Sequence, residues 1–444
     1  MTTQIFQAST LYGIATLAAA LDSGCFRPAD RRVLLLCNNA ATPETTPGPD
    51  AMPGFEQLRD RFDDVLSYNE AIFPFHPGGW APRPDDLPLW ERYLRHEWQL
   101  ADDEVELAVE SIQVNPALGL AQIFTGAPVT VYADGLMSYG PTRNKIDPLV
   151  GTRVDRVLHV DLVPGLVPLL LTEFGVPAEI VPTPAVTKVL SELAPSGEEF
   201  AEGGEPVLLL GQYLSALGIL GTEEEEQLHV RMLRGAAALG HRTVVFKPHP
   251  TAPASFTRSL EEEAGRLGVE LTVVDTPVLA EVLYQRTRPA LVVGCFSTAL
   301  LTASALYGLP VARVGTGLLL ERLTPYENSN RVPVTIVDAL LPDLDDREAV
   351  TARRRGTDVE ALGALVRAVG FAMQPKILPA LRRETEGYLA RHQDPRTLRY
   401  FKRKRLTSLA LPGGLPAQLA FIPRNATVRR VARKARSLRR SAGR

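Results

Sequence analysis

The chain has 444 residues, 45% of them hydrophobic and 22% charged, with 36 Pro, 34 Gly and 3 Cys. That length predicts two or three domains, and the apolar fraction is that of a globular protein rather than a disordered one. No apolar run approaches the ~20 residues of a bilayer-spanning helix, the opening Met-Thr-Thr-Gln lacks a basic leader pattern, and Cys25, Cys37 and Cys295 share no metal-ligand or disulfide spacing. A secreted, membrane-spanning or zinc-finger protein is disfavoured, and a soluble cytoplasmic one is expected.

In chain order, Thr3–Ala8 reads as a strand and Tyr12–Leu21 as an apolar helix. Arg32–Cys37 is a continuous apolar run expected to be buried on both faces. Asp64–Ser67, Leu107–Val114, Val129–Tyr132 and Arg156–Leu162 are further strand candidates. The Pro- and Gly-rich Pro74–Pro88 is a loop, and an apolar helix is expected near Val167–Phe174. Ala194–Glu205 is polar and Gly-rich and reads as a linker. The pattern then restarts, with strands at Pro206–Leu210, Thr243–Lys247, Leu271–Val274, Ala290–Val293 and Val311–Val314. Helices are expected at Thr222–Leu239, Ser255–Leu267, Leu279–Arg286 and Thr298–Tyr307, and closing helices at Glu360–Gln374 and Lys376–His392. Strands alternating with helices predict parallel sheets. The fold class is therefore α/β, with two Rossmann-like domains facing a cleft: 1–193 as the first, 194–205 as linker, 206–375 as the second, 376–395 as a closing helix and 396–444 as a basic tail. In such sheets ligands sit beyond the carboxyl ends of the strands.

Three segments at strand ends carry chemistry. In Thr243–Pro250 (TVVFKPHP) a strand runs into a turn whose two prolines restrict the backbone on either side of His249. This presents an imidazole and the Lys247 ammonium at a strand end, where they can meet a leaving phosphate; Pro250 completes the motif. In Ala290–Leu300 (ALVVGCFSTAL), Ser297 or Thr298 stands at a helix start, as a simple cap or as part of an anion site. In Val131–Gly140 (VYADGLMSYG), Asp134 follows a strand, as a general base or as half of an Asp-Gly turn. Gly211 and Gln212 can bring backbone amides to a ligand or form a plain turn. Glu281 can accept ribose hydroxyls or be an exposed helix-start acid. His76, His96, His159, His229, His241 and His392 share no ligand spacing and read as structural. The chain has no P-loop, GxGxxG, HExxH or GxSxG, which removes most of the case for kinase, dehydrogenase, zincin and α/β-hydrolase readings.

Taken in order, Asp134-Gly135, Lys247-Pro248-His249-Pro250 and Ser297-Thr298 resemble the motifs of bacterial sialyltransferases, and most closely the bacterial alpha-2,8-polysialyltransferase family. The similarity runs from TQIFQASTLYG to about residue 390, with Ala133 where the family often has a second acid. The resemblance implies a GT-B fold, CMP-sialic acid as donor, a glycan or glycolipid acceptor, inversion at the anomeric carbon and no metal or other cofactor. It makes Asp134 the base, His249 the acid or electrostatic partner of departing CMP, Ser297 and Thr298 the holders of its phosphate and Glu281 a contact of the cytidine ribose. Lys247 is added as a phosphate contact from its position alone. The alternatives are a CDP-glycerol-dependent teichoic-acid-type polymerase, a non-hydrolysing sugar-nucleotide epimerase and a catalytically silent glycan-binding protein.

Residues 396–444 hold 15 Lys and Arg and no acid, against 33 basic and 51 acidic residues in the remainder. Arg424–Arg440 has a thin apolar stripe at helical spacing and Phe401–Leu406 (FKRKRL) adds a basic cluster, so an anionic membrane surface is the favoured partner. A polyanionic glycan, nonspecific nucleic acid or plain solvation of the tail are the other readings; no specific nucleic-acid partner is expected. The expected location is cytoplasmic, peripheral on the inner face of the plasma membrane.

Overall fold

The structure, a computed structural model, describes residues 1–194, 205–249, 252, 254–352, 356 and 358–415. Most of the expected linker, Pro250 and the amphipathic segment 424–440 lie outside the described residues.

The first sheet is built from β1 (Thr2–Ala8), β2 (Arg31–Leu36), β3 (Asp64–Ser67), β4 (Glu104–Glu110), β5 (Val129–Ala133), β6 (Val154–Val160) and β7 (Ala178–Val181), all parallel, in the order β3-β2-β1-β4-β5-β6-β7. The second holds β8 (Val207–Leu210), β9 (Thr243–Lys247), β10 (Glu270–Val273), β11 (Leu291–Gly294) and β12 (Val311–Arg313), again parallel, in the order β10-β9-β8-β11-β12. Two-sided burial explains the apolar runs. In β2, Leu34 and Leu36 pack into one cluster while Val33 and Leu35 pack into the other. The arrangement is the GT-B fold: two parallel α/β sheets with a cleft between them. Strand order reverses at β1/β4 in the first sheet and at β8/β11 in the second, and those switch points are where ligand crevices form.

Six helices place the site. They are α1 (Leu11–Asp22), α2 (Thr222–Ala238), α3 (Ala280–Thr287), α4 (Thr298–Ala305), α5 (Arg331–Leu340) and α6 (Val359–Met373). Helix α6 reaches back to the first half of the chain. Its Gly370 lies against Leu169 and Pro141, and Gln374 just beyond it donates from Nε2 to the Arg143 carbonyl at 2.8 Å.

Four expectations are corrected. Val167–Phe174 is not an α-helix: Leu171 adopts φ 62°, outside the right-handed helical region, and only a 3-10 turn forms at Thr172–Phe174. The strand expected over Leu107–Val114 stops at Glu110, because Ser111 and Ile112 turn the chain at φ 57° and 39°. β7, only four residues between Pro177 and Pro182 with three of its side chains exposed, is a strand the sequence reading did not expect. Residues 396–415 are not a free basic tail. Tyr400, Phe401, Leu406 and Leu411 are buried, Tyr400 donates to Asp338 at 2.9 Å, Arg399 pairs with Asp338 at 3.0 Å and Arg405 with Glu327 at 2.7 Å, and Lys402 donates to the Leu323 carbonyl. Only Arg403 and Lys404 of the FKRKRL cluster are left exposed to meet a surface. The closing helix is shorter than expected, at Arg382–Arg391. Among the described residues no helix is long and apolar enough to cross a membrane.

Candidate active site

The two switch points open into one cleft with two adjoining cavities. The larger, about 720 Å³, is lined from the first sheet by Ser9, Glu110 and Asp134, and from the second by Gln212, His249, Ser297 and Thr298. The smaller, about 280 Å³, is lined by Gly211, Lys247, Glu281, His249, Ser297 and Thr298. Every described site residue read from the sequence lines one cavity or both.

On the first side, β5 ends at Ala133 and delivers Asp134 to the cleft. Burial, then the charge of Glu110, and more weakly that of Glu281, raise its carboxyl from the ordinary aspartate range to about 7. Glu110 closes the adjacent strand β4, in register with Tyr132, and accepts from Ser9 Oγ at 2.5 Å. Burial raises its carboxyl too. The sequence reading missed this residue because it ran the strand straight through it. The second acid that Ala133 fails to provide next to Asp134 is thus present on the neighbouring strand. Helix α1 also faces this point. Thr10 caps it by accepting from Gly13 N at 2.9 Å, and a Cβ on Gly13 would stand 3.0 Å from Tyr132 Oη and 3.5 Å from Asp134 Oδ2. A side chain there would press on the Asp134 carboxylate, so glycine fits the close approach.

On the second side, β8 ends at Leu210, and the N–H of Gly211 just beyond it donates to the Lys247 carbonyl at 2.9 Å. A Cβ there would meet the Phe246 ring at 3.1 Å and that carbonyl oxygen at 3.2 Å. Gln212 turns its amide oxygen to accept from Phe296 N at 2.9 Å, so it braces the loop before α4. Buried Glu225 on α2 holds the same region by accepting from Leu214 N at 2.6 Å and from Ser215 N and Oγ at 2.8 and 2.7 Å. The sequence analysis passed over this acid as part of the helix's acidic first turn.

His249 leaves β9 beside Tyr213, with ring centroids 6.3 Å apart. Although the ring opens to the cleft, the protein around it and then Lys247 lower its basicity, against a smaller opposing effect of Glu225. Burial likewise lowers Lys247, with Glu281 opposing. Glu281 is 4% exposed and accepts from Thr302 Oγ1 at 2.6 Å, which rules out the exposed helix-start reading. Its carboxyl is raised by burial. Ser297 is the N-cap of α4, its Oγ accepting from Ala299 N at 3.3 Å, so it caps a helix whose first turn faces both cavities. Thr298 Oγ1 accepts from Leu136 N at 3.4 Å and thereby ties the Ser-Thr segment to the Asp-Gly segment across the cleft.

Two further residues escaped the sequence reading. Tyr12 lines both cavities, and its buried hydroxyl has no hydrogen-bond partner among the described residues. Burial, then Glu281 and Asp134, hold it firmly protonated. No motif marks a tyrosine in the first turn of an apolar helix. Arg143 is the one Lys or Arg among the described residues lining the larger cavity.

The described cleft thus joins a buried carboxylate of raised basicity to a histidine, a lysine and a hydroxyl-bearing helix start. The family model for alpha-2,8-polysialyltransferase matches residues 4–316, more than half of the chain. The chain belongs to the alpha-2,8-polysialyltransferase family. This family member is accordingly a glycosyltransferase. No curated protein matches its sequence. Among solved structures it is similar to a UDP-GlcNAc 2-epimerase from Methanocaldococcus jannaschii, at 12% identity over 84% of this chain and 100% of that one, with a TM-score of 0.47. It is also similar to the GT-B domain of a sialyltransferase from Photobacterium damselae, at 11% identity over 75% and 95%, TM-score 0.37, and to a glycosyltransferase from Rickettsia africae, at 10% identity over 87% and 93%, TM-score 0.38. Likenesses this remote carry no conclusion about what the family member acts on.

Proposed function

We propose that this glycosyltransferase moves sialic acid from CMP-sialic acid to a glycan hydroxyl with inversion and without a metal. The observation that carries the reading is Asp134 and His249 lining one cavity from opposite sheets, with the Asp134 carboxyl raised to about 7. A carboxylate of that basicity takes the proton of the acceptor hydroxyl as its oxygen bonds to the anomeric carbon. The bond from that carbon to the donor's phosphate oxygen breaks, and the electron pair leaves with CMP.

CMP departs as a monophosphate, which needs less charge neutralised than a diphosphate. His249, Lys247 and the start of α4 with Ser297 and Thr298 are the groups for it. The phosphate's charge favours the imidazolium, offsetting the lowered basicity that burial and Lys247 give His249. Gly211 lets the backbone approach, and Glu281 lies in the same small cavity as Lys247, where a ribose hydroxyl can meet it. Arg143 suits the carboxylate of an acidic sugar. Pro250 is assigned as part of the His-Pro turn by sequence alone. The proposal extends to the surroundings: residues 416–444 as a reversible contact with an anionic membrane on its cytoplasmic side.

The test is CMP release from CMP-Neu5Ac, with and without sialylated acceptors, in EDTA. Acceptor-stimulated release, lost on Asp134→Ala and on His249→Ala, is the expected result. Turnover of CDP-glycerol instead would overturn the donor assignment, and loss of release in EDTA would overturn metal independence.

A further inference from the structure

A separate cavity of about 600 Å³ lies at the carboxyl ends of β2 and β3, on the same edge of the sheet as Asp134. With neighbouring strands spaced about 4.8 Å apart, the four steps from β5 to β3 put it roughly 19 Å along that edge from the base. Asn39 lines the main cleft and Asn38, next to it in the chain, lines this cavity, so one loop borders both.

The cavity is preformed. Asn38 N donates to Asn69 Oδ1 at 2.8 Å and Asn69 Nδ2 returns to the Asn38 carbonyl at 2.9 Å, which clasps the loops after β2 and β3 together. Asn38 Nδ2 also donates to the Thr46 carbonyl at 2.8 Å and pins the loop that forms one wall. Two aromatic side chains stand on its rim, Phe73 at 75% and Phe75 at 49% exposure. Phe75 is not loose, because its ring stacks on Trp80 at 6.0 Å and 20°, and Trp80 packs edge-on against Trp90 at 4.6 Å. Exposed, braced rings of this kind cost burial energy unless a ligand covers them. Among the described residues the charged groups lining the cavity are Glu44, Asp50 and Glu70, all of them acids.

We infer that this cavity is an outer subsite for a neutral, hydroxyl-rich stretch of the acceptor glycan, several sugars from the reacting end. The inference rests on the transferase reading of the main cleft. Flat faces of neutral sugars cover Phe73 and Phe75, and their hydroxyls donate to the carboxylates. A chain with a carboxylate on every sugar is repelled by the same three acids. The enzyme thus caps or extends a neutral glycan rather than lengthening a continuous polyanion through this subsite.

The test is direct binding to the full chain, by calorimetry and tryptophan fluorescence, and it needs no donor or turnover. The probes are maltohexaose, cellohexaose, chitohexaose and alpha-2,8-linked oligosialic acid. At least one neutral hexasaccharide binds, and Phe73→Ala/Phe75→Ala weakens it roughly tenfold. Oligosialic acid binds more weakly than that hexasaccharide, and it gains affinity in Glu44→Lys/Glu70→Lys. Failure of all three neutral probes, binding unchanged by the phenylalanine pair, or stronger binding of oligosialic acid to the wild type would each overturn the subsite. Failure of CMP release with intact hexasaccharide binding would instead overturn the donor assignment and leave the subsite standing.

Discussion

Thr298 Oγ1 accepts a hydrogen bond from Leu136 N at 3.4 Å, joining a helix start of the second sheet to the turn that carries Asp134 in the first. The hydroxyl that is proposed to meet donor phosphate therefore also registers the base against the donor side. Replacing it with an isosteric apolar group separates these roles from simple packing. Thr298→Val is expected to raise the KM for CMP-sialic acid about fivefold, the effect of one lost hydrogen bond, with Thr298→Ser near wild type. Steady-state kinetics in both substrates checks it, and equal KM values in the two variants would remove Thr298 from donor binding.

Glu110 sets a pH signature. The folded Asp134 carboxyl is raised to about 7 by burial and by the Glu110 charge, so the base form gains population as pH rises through that region. Glu110→Gln removes a negative neighbour, Asp134 ionises more readily, and the acidic limb of kcat/KM moves to lower pH. Asp134→Asn is expected to cost 10²–10⁴-fold in rate, within the usual range for a general base. The linkage sign is opposite to that of an ion-paired aspartate. A raised carboxyl favours the fold at low pH, and that contribution is lost as pH rises through the folded value. Asp134→Asn should therefore gain more thermal stability relative to wild type at pH 8 than at pH 5, which melting curves at the two pH values measure.

The buried hydroxyl of Tyr12 has no partner among the described residues while standing in both cavities. An orphaned polar group costs about 1–3 kcal/mol, so Tyr12→Phe should leave stability unchanged or raised. If substrate supplies the missing partner, kcat/KM falls about tenfold in the same variant. A fall in activity together with a rise in melting temperature is a combination that a packing role does not produce. Unchanged kinetics would show that the hydroxyl meets no substrate.

The described part of the C-terminal basic region, 396–415, is packed into the fold. Deleting 416–444 should abolish co-sedimentation with vesicles containing anionic lipid; retained sedimentation would sink the membrane assignment. Deleting 396–444 also removes buried Tyr400, Phe401, Leu406 and Leu411, each worth about 1.5–3 kcal/mol if fully buried, and should destabilise the fold outright.

Periodicity and strand-end motifs made most of this architecture legible. The five strands of the second sheet and the positions of Asp134, His249, Ser297 and Thr298 follow from apolar runs ending in Gly, Pro or Ser/Thr. Charge composition misled at 396–415, because counting arginines says nothing about whether Asp338 and Glu327 will pair with them. Glu110 and Tyr12 were hidden for another reason. Each lies far from Asp134 in sequence, and only the parallel order β1-β4-β5 and the start of α1 bring the three together.

The return of α6 to Pro141, Leu169 and Arg143 bears on how this enzyme can be recombined. A chimera cut in the 195–204 segment would carry a first half whose Leu166 and Leu169 had lost the helix they pack against, since α6 is encoded after the last strand of the second sheet. Exchanging the first domain between relatives therefore requires moving two separate stretches of the gene together, the first half and the segment encoding α6.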